Sequence, residues 1–357
     1  MEKKRYANID LLKTIAIFMV ICLHSQVFNT DFIGNPKISS YVQYGIRILC
    51  EGVAIFILIN GFLLINKKEF CLKKHLQKTL KIFMLLIIWS LILTISIKII
   101  YREPLKISEV LKNVFVTDIT NKYTGVLWFL QNLIMLYLIY PILKTVHDND
   151  KKIYNYLFIL LLISTSFINI LDLISQLINT KYKFEPIRLI MSYISKFQVL
   201  YNRNFLVFFM LGGYLFENKE KFEMIQIRKK WILIGSGTWL ISYLFAIVIS
   251  NLQNKTYSET FNYASAFMPV ILIGMFAITY TYQNREKWYD KLIENISKNS
   301  LGIYLIHIIV VRILNLLFVG NVSLVLRVIK VILVFTISYI LTLIIKKIPK
   351  LNKLIEL

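Results

Sequence analysis

Long apolar windows recur from end to end of this chain, and their length restricts the fold more than any other feature. Each holds about the 20 residues that a helix needs to cross roughly 30 Å of hydrocarbon. The windows are uninterrupted, whereas strands of a membrane barrel alternate apolar and polar residues. With 57% hydrophobic and 17% charged residues, the chain is too apolar for a typical soluble domain. The sequence therefore predicts an all-α integral membrane protein.

About ten such spans can be placed, and we expect them to form a single helical bundle over residues 1–357 without an appended soluble domain. They cover residues 9–28, 46–66, 82–100, 126–146, 153–173, 204–217, 231–250, 261–281, 300–319 and 322–345. The sixth is short and contains Gly212 and Gly213, so it either spans the membrane or re-enters it.

The strongly basic balance, a net charge of +22, is explained by membrane topology. Lys and Arg next to spans favour the cytoplasmic side, and cytoplasmic placement of both termini puts most of the 42 basic residues there. The densest stretch is Asn66–Lys81, a basic connector that we expect on the inner membrane surface, as a topology anchor or a contact for an anionic cofactor. The charge thus indicates lipid headgroups as partners and argues against nucleic acid.

Two long outer loops, Tyr101–Gly125 and Ile174–Arg203, are candidates for substrate recognition, and the second carries Glu185 and Arg188. The three cysteines form no CxxC pair and lie in or beside separate segments. They therefore predict neither a disulfide framework nor a metal site, and no metal is expected.

Three ionisable side chains occupy the first span: Asp10, Lys13 and His24. Lys13 and His24 are eleven residues apart, so at roughly 100° per residue they share one helix face, about 16 Å apart along the axis. Asp10, one turn from Lys13, either pairs with it or caps the helix while Lys13 extends to the headgroups. His24 is either a proton acceptor near neutral pH or a hydrogen-bonded packing residue.

Further ionisable groups fall inside the last two spans, namely His307, Arg312, Arg327 and Lys330. A charged side chain at bilayer depth costs on the order of 2.5 to 3.5 kcal/mol on insertion scales, so it normally faces the protein interior or a water-filled cavity. The sequence alone assigns no role to Arg327 or Lys330.

Four stretches in order resemble the acyltransferase family 3 membrane proteins. Asp10, Lys13 and His24 match the opening family pattern of an acidic residue, a basic residue and a His near the end of the first span. Lys13 stands where Arg is commoner in the family, and Asn60 stands where Ser is more usual. Three later stretches are similar to further family helices: Val53–Leu64, Leu127–Pro141 and Ser300–His307.

The resemblance implies an acyltransferase that moves an acyl group, usually acetyl from acetyl-CoA, to a hydroxyl of a carbohydrate acceptor. Such acceptors are exopolysaccharide, capsule, cell-wall glycan or lipid-linked sugar, and the enzyme is expected as a multi-pass protein of a bacterial plasma membrane. Within the resemblance, His24 is the general base or a transient acyl carrier, and Lys13 is a cation for the donor.

The second-rank site candidates are His307, Arg312, Trp128 and Asp10. His307 is a proton partner or a core hydrogen bonder, and Arg312 stabilises an oxyanion or contacts the acceptor. Trp128 either belongs to the site or is an interfacial anchor. A different function, export or flipping of a polysaccharide or lipid-linked sugar, also fits ten spans. A membrane receptor or structural module without catalytic activity is a third possibility.

Overall fold

A computed structural model of the chain describes residues 5–25, 41, 45, 51–115, 120–182, 186, 190, 204–252, 267–283, 287–318 and 323–356. Within these ranges all regular elements are helical, as expected where hydrocarbon offers the backbone no outside partners. The α-helices are α1 Ala7–His24, α2 Gly52–Leu64, α3 Leu72–Ile100, α4 Ile107–Phe115, α5 Trp128–Asn149, α6 Lys151–Leu162, α7 Ile168–Tyr182, α8 Phe205–Glu217, α9 Ile225–Leu252, α10 Met268–Thr279, α11 Trp288–Leu317 and α12 Leu324–Lys347. Shorter 3-10 segments are Gly125–Leu127, Lys219–Glu223 and Leu351–Leu354, and a π turn, Ile163–Phe167, joins α6 to α7.

Six helical segments of the described chain are long and apolar enough to cross a membrane: Ala7–His24, Leu72–Ile100, Gly125–Asn149, Lys151–Leu171, Trp288–Leu317 and Leu324–Lys347. Helices α2, α8 and α10 are apolar but shorter, and α8, the short sixth predicted span, has 13 residues. The all-helical membrane class is thus confirmed. The count of ten spans and the cytoplasmic placement of the termini stay predictions, and residues 261–266 of the eighth predicted span lie outside the described residues.

The basic connector continues directly into a long helix. From Leu72 onward its residues form the first turns of α3, which runs unbroken to Ile100. His75 in this stretch is buried, and its Nε2 lies 2.7 Å from the carbonyl oxygen of Tyr137, whose ring stacks on the imidazole. The second part of the basic connector therefore forms the start of α3, with His75 on its packed face.

The chain divides into two compact units. The first unit comprises Met1–Leu12, Phe28–Lys67 and Ile142–Asn284, and the second comprises Lys13–Val27, Lys68–Pro141 and Arg285–Leu357. Helix α1 contributes its first turns to the first unit and its remainder, including His24, to the second. The prediction of one membrane domain over residues 1–357 stays a prediction.

In the first unit, α2 and α8 approach each other so closely that their contact requires glycine on both sides. A Cβ added to Gly61 would lie 1.7 Å from the carbonyl oxygen of Phe209, and one added to Gly212 would lie 1.9 Å from that of Leu58. Both distances are far below a van der Waals contact, and each neighbour is backbone. Small residues at helix contacts let backbones pack closely inside a membrane.

Gly212→Ala is expected to destabilise the protein by on the order of 3 kcal/mol, because α2 and α8 must separate to admit the methyl group. Thermal unfolding of the detergent-solubilised protein measures the effect. The matched control is Gly237→Ala in α9, where nothing lies within 4 Å of an added Cβ. The control should be neutral or gain up to about 1 kcal/mol from helix propensity. Equal melting temperatures for the two variants would contradict the close approach.

The second unit holds α1 against the last two helices. The Thr14 hydroxyl donates to the carbonyl oxygen of Ile293 in α11 over 3.2 Å. Phe18 packs edge-on against Phe335 of α12, with ring centroids 5.7 Å apart. These contacts direct the C-terminal end of α1, which carries His24, along α11 and α12.

Candidate active site

Two histidines meet in the second unit. His24 is the last residue of α1, and His307 lies inside α11, where it is 0% exposed. His24 Nδ1 and His307 Nε2 are 3.3 Å apart, and the ring centroids are 5.0 Å apart. The structure therefore brings together the first-rank histidine of the sequence and one that ranked second.

The hydrogen bonds of the two rings determine which nitrogen carries the proton. His24 Nδ1 lies 2.9 Å from the carbonyl oxygen of Val20, and His307 Nδ1 lies 2.5 Å from that of Tyr304. A carbonyl oxygen only accepts, so in the neutral rings each Nδ1 carries the hydrogen. His307 Nε2 is then a lone-pair acceptor that faces His24 Nδ1–H. His24 Nε2 keeps its lone pair and has no hydrogen-bond partner among the described residues.

His307 is supported by the chain segment that precedes α5, residues 120–127, which we name the α5 entry segment. The Tyr304 hydroxyl donates a short hydrogen bond to the carbonyl oxygen of Val126, and the Tyr304 ring packs edge-on against Phe129 at 5.4 Å. One turn of α11 separates Tyr304 from His307. The entry segment therefore holds the turn that carries the His307 ring.

Arg312 lies on α11 beyond His307 and is half-buried. Its Nη2 donates to the carbonyl oxygen of Lys122 in the entry segment over 3.2 Å, while its Nε is buried without a hydrogen-bond partner. The guanidinium lies close enough to act electrostatically on the His24 imidazole. Arg312 thus places a positive charge beside the histidine pair.

The entry segment is itself held by Glu103. The Lys122 ammonium pairs with the Glu103 carboxylate at 2.8 Å, and the Tyr123 hydroxyl donates a second hydrogen bond to the same carboxylate. These donors hold the pKa of Glu103 below its usual range. The described part of the predicted outer loop Tyr101–Gly125 is therefore a packed network joined to Arg312.

A lysine of α12 joins the ends of α1 and α11. Lys330, 9% exposed, donates to the side-chain oxygen of Asn315 at 2.5 Å and lies 3.4 Å from the carbonyl oxygen of Ser25. Ser25 follows His24 directly, so Lys330 contacts the backbone that ends the His24 helix.

A family model described as an acyltransferase domain matches residues 6–345, nearly the whole chain. The chain belongs to acyltransferase family 3. Six helices of the described residues are long and apolar enough to cross a membrane, so the chain is a membrane acyltransferase of this family. Neither the curated proteins nor the solved structures yield a match.

The first-span residues of this family 3 acyltransferase lie on one unbroken helix. Lys13 is half-buried, and the helix bounds agree with a face shared with His24 at about 16 Å of axial separation. Asp10 is 8% exposed and forms a bidentate ion pair with Arg5, at 2.6 and 3.0 Å. The sequence interpretation had not considered Arg5, which lies just before the helix begins.

Trp128 is the first residue of α5 and is 7% exposed, so its ring packs against the protein. It directly precedes Phe129, the residue in contact with Tyr304. Among the described residues, no group of three His, Cys, Asp or Glu side chains is arranged to hold a metal ion.

Sequence reasoning missed several supporting residues of the acyltransferase. Tyr304 belongs to the family-like stretch Ser300–His307, but its partner Val126 could not be assigned from the sequence. Asn315 carried no signal, since a polar residue that bonds to a neighbouring helix looks like any other in an apolar span. Lys330 did carry a signal, its charge within a span, but no partner could be assigned without the fold. Glu185, Arg188 and Arg203, which belong to the second predicted recognition loop, lie outside the described residues.

Proposed function

We propose that this acyltransferase moves an acetyl group from cytoplasmic acetyl-CoA to a hydroxyl of a surface or lipid-linked carbohydrate in a bacterial plasma membrane. The observation that carries the proposal is the histidine pair, in which His24 Nε2 keeps an unshared lone pair at the end of α1. A positioned imidazole of this kind suits proton removal from an acceptor hydroxyl. The carbohydrate and the acetyl donor are the family's usual substrates.

In the proposed reaction, His24 Nε2 takes the proton of the acceptor hydroxyl as its oxygen attacks the thioester carbonyl. A carbon–oxygen ester bond forms and the carbon–sulfur bond breaks. CoA leaves as a thiolate that receives the proton from the His24 imidazolium. A transient acyl group on the same nitrogen is the second route, and it would place the labelled acetyl group on the protein before acceptor is added.

His307 has a defined part in the proposed proton transfer. When His24 gains a proton, its Nδ1–H faces the lone pair of His307 Nε2. Hydrogen bonds from an ionised donor are about twice as strong as neutral ones, so the contact strengthens as charge develops. His307 is therefore a positioning residue that favours the protonated form of His24 during the reaction.

Lys13 supplies the donor end of the proposed site. It lies about 16 Å from His24 along the same helix face, nearer the N-terminus of α1. CoA carries its anionic groups on the nucleotide, and an extended pantetheine arm joins these to the thioester. We assign the anionic end to Lys13 and the thioester to His24.

An acetyl-CoA assay of the purified protein in lipid vesicles tests the proposal. With a glycan as acceptor, the assay measures the release of CoA and the formation of the labelled ester. Lys13→Ala is expected to raise KM for acetyl-CoA about tenfold, the loss of roughly 1.4 kcal/mol of charge-assisted binding, whereas Lys13→Arg keeps the wild-type value. The control is Lys298→Ala, which removes an exposed lysine paired with Glu294 in the same unit. No acetyl transfer by the wild type with any glycan would contradict the proposed function.

A further inference from the structure

The buried lysines of the described chain differ in the charge of their partners. Lys98, 1% exposed, pairs with the Glu109 carboxylate at 2.5 Å, and Lys144, 5% exposed, pairs with Asp148 at 2.7 Å. Lys330, 9% exposed, has only two neutral oxygens, those of Asn315 and Ser25. A buried charge is costly unless it is paired, so the partners of Lys98 and Lys144 explain their burial, and those of Lys330 do not.

Arg312 shows the same pattern as Lys330. Its guanidinium donates to a backbone oxygen, that of Lys122, and no described carboxylate forms an ion pair with it. Asn315, the partner of Lys330, lies one turn along α11 from Arg312, where side chains three residues apart are neighbours. Arg312 and the Lys330 partner Asn315 thus lie on the same turn of α11, and neither Arg312 nor Lys330 has a described carboxylate partner.

Unused hydrogen-bond donors surround these cations. The Nε of Arg312 and the hydroxyl of Ser25, a residue 2% exposed, are buried without a hydrogen-bond partner. An ammonium has three donors, and Lys330 uses two on the neutral oxygens. Unsatisfied buried donors are rare in folded proteins, and these two, together with the third ammonium hydrogen of Lys330, suit an oxyanion.

We infer that Arg312, Lys330 and Ser25 form an anion site that binds a phosphate or carboxylate group of the acceptor next to His24. The assignment of the bound anion to the acceptor rests on the proposed function, whereas the anion site itself does not. The donor is a poorer occupant, because its anionic nucleotide is assigned to Lys13, about 16 Å away along α1. An anionic acceptor anchored here would present a neighbouring hydroxyl to His24, since Ser25 is the next residue.

Binding of inorganic phosphate tests the site without reference to activity. We expect phosphate to raise the melting temperature of the solubilised wild type saturably, relative to chloride at equal ionic strength. Arg312→Gln and Lys330→Met should lose this shift. Lys346→Met is the matched control, since Lys346 lies at the other end of α12 and pairs with Glu356 on the surface, and it should keep the shift.

Charge-retaining variants separate loss of binding from loss of fold. Lys330→Arg should fold and keep most of the phosphate shift, whereas Arg312→Lys should fold and weaken it, because lysine lacks the Nε donor. An equal shift in all variants, or no saturable shift in the wild type, would overturn the anion site.

Acceptor assays then distinguish the two sources of negative charge. A sugar 1-phosphate, a uronic acid and a neutral methyl glycoside are compared as acceptors for the wild type and Arg312→Gln. We expect one of the two anionic acceptors to react at least tenfold faster than the neutral one, and Arg312→Gln to remove that preference. Transfer without preference for either anion would refute the assignment to the acceptor. If no acceptor reacts but phosphate still binds, the proposed function fails and the anion site stands.

Discussion

Replacing His24 with Ala is expected to lower kcat for acetyl transfer by on the order of 10³-fold, with little change in KM for acetyl-CoA. The loss follows from removing the only proton acceptor that the proposed mechanism provides, and general bases contribute roughly 10² to 10⁴-fold. Ala leaves the α1 backbone and the Thr14 and Phe18 contacts unchanged, so the variant should still fold. The measurement is labelled ester formed per mole of purified protein.

The control for this variant is His147→Gln, which changes a histidine outside the pair, one that contacts Asp148 and Glu217. It should retain near wild-type transfer. In cells, His24→Ala should leave the surface glycan exported but unacetylated, as NMR of the purified glycan would show. Normal acetylation would remove the catalytic role of His24, and absence of glycan from the surface would favour an exporter.

Replacing His307 with Leu is expected to lower kcat by about 10²-fold, because His24 Nδ1–H would lose one of its two described acceptors and keep only the Val20 carbonyl oxygen as the imidazole becomes charged. His307→Gln should recover much of the rate, since its amide oxygen can accept the same hydrogen bond. KM for acetyl-CoA should change little in both variants. This split between kcat and KM, together with the rescue by Gln, is what a positioning role predicts.

The matched control is Ser338→Ala in α12, which removes a buried hydroxyl that has no hydrogen-bond partner. It should fold and react like the wild type. If His307→Gln were as slow as His307→Leu while both remained folded, the hydrogen bond to His24 would have no part in the rate. If both were fully active, His307 would be a packing residue only.

The fold class was predictable because it depends on one-dimensional quantities. Whether a helix is long and apolar enough to cross hydrocarbon can be counted along the chain, and α1 and α12 begin and end within about four residues of their predicted spans. The predicted span boundaries were wrong where a helix extends beyond its apolar part. Helix α3 begins at Leu72 in the basic connector, and α11 begins at Trp288, twelve residues before the predicted span, because backbone bonding continues through polar turns.

The sequence by itself determined an apolar helical chain of acyltransferase family 3, with Lys13 and His24 on one face of its first helix. Both follow from local periodicity and from motifs that are contiguous in the chain. Only the tertiary structure decided that His307 lies beside His24, and that Lys330 has neutral partners while Lys98 has a carboxylate. Contacts between residues 283 positions apart depend on how helices pack against each other. Apolar periodicity predicts which face of a helix is buried, but not which helix packs against that face.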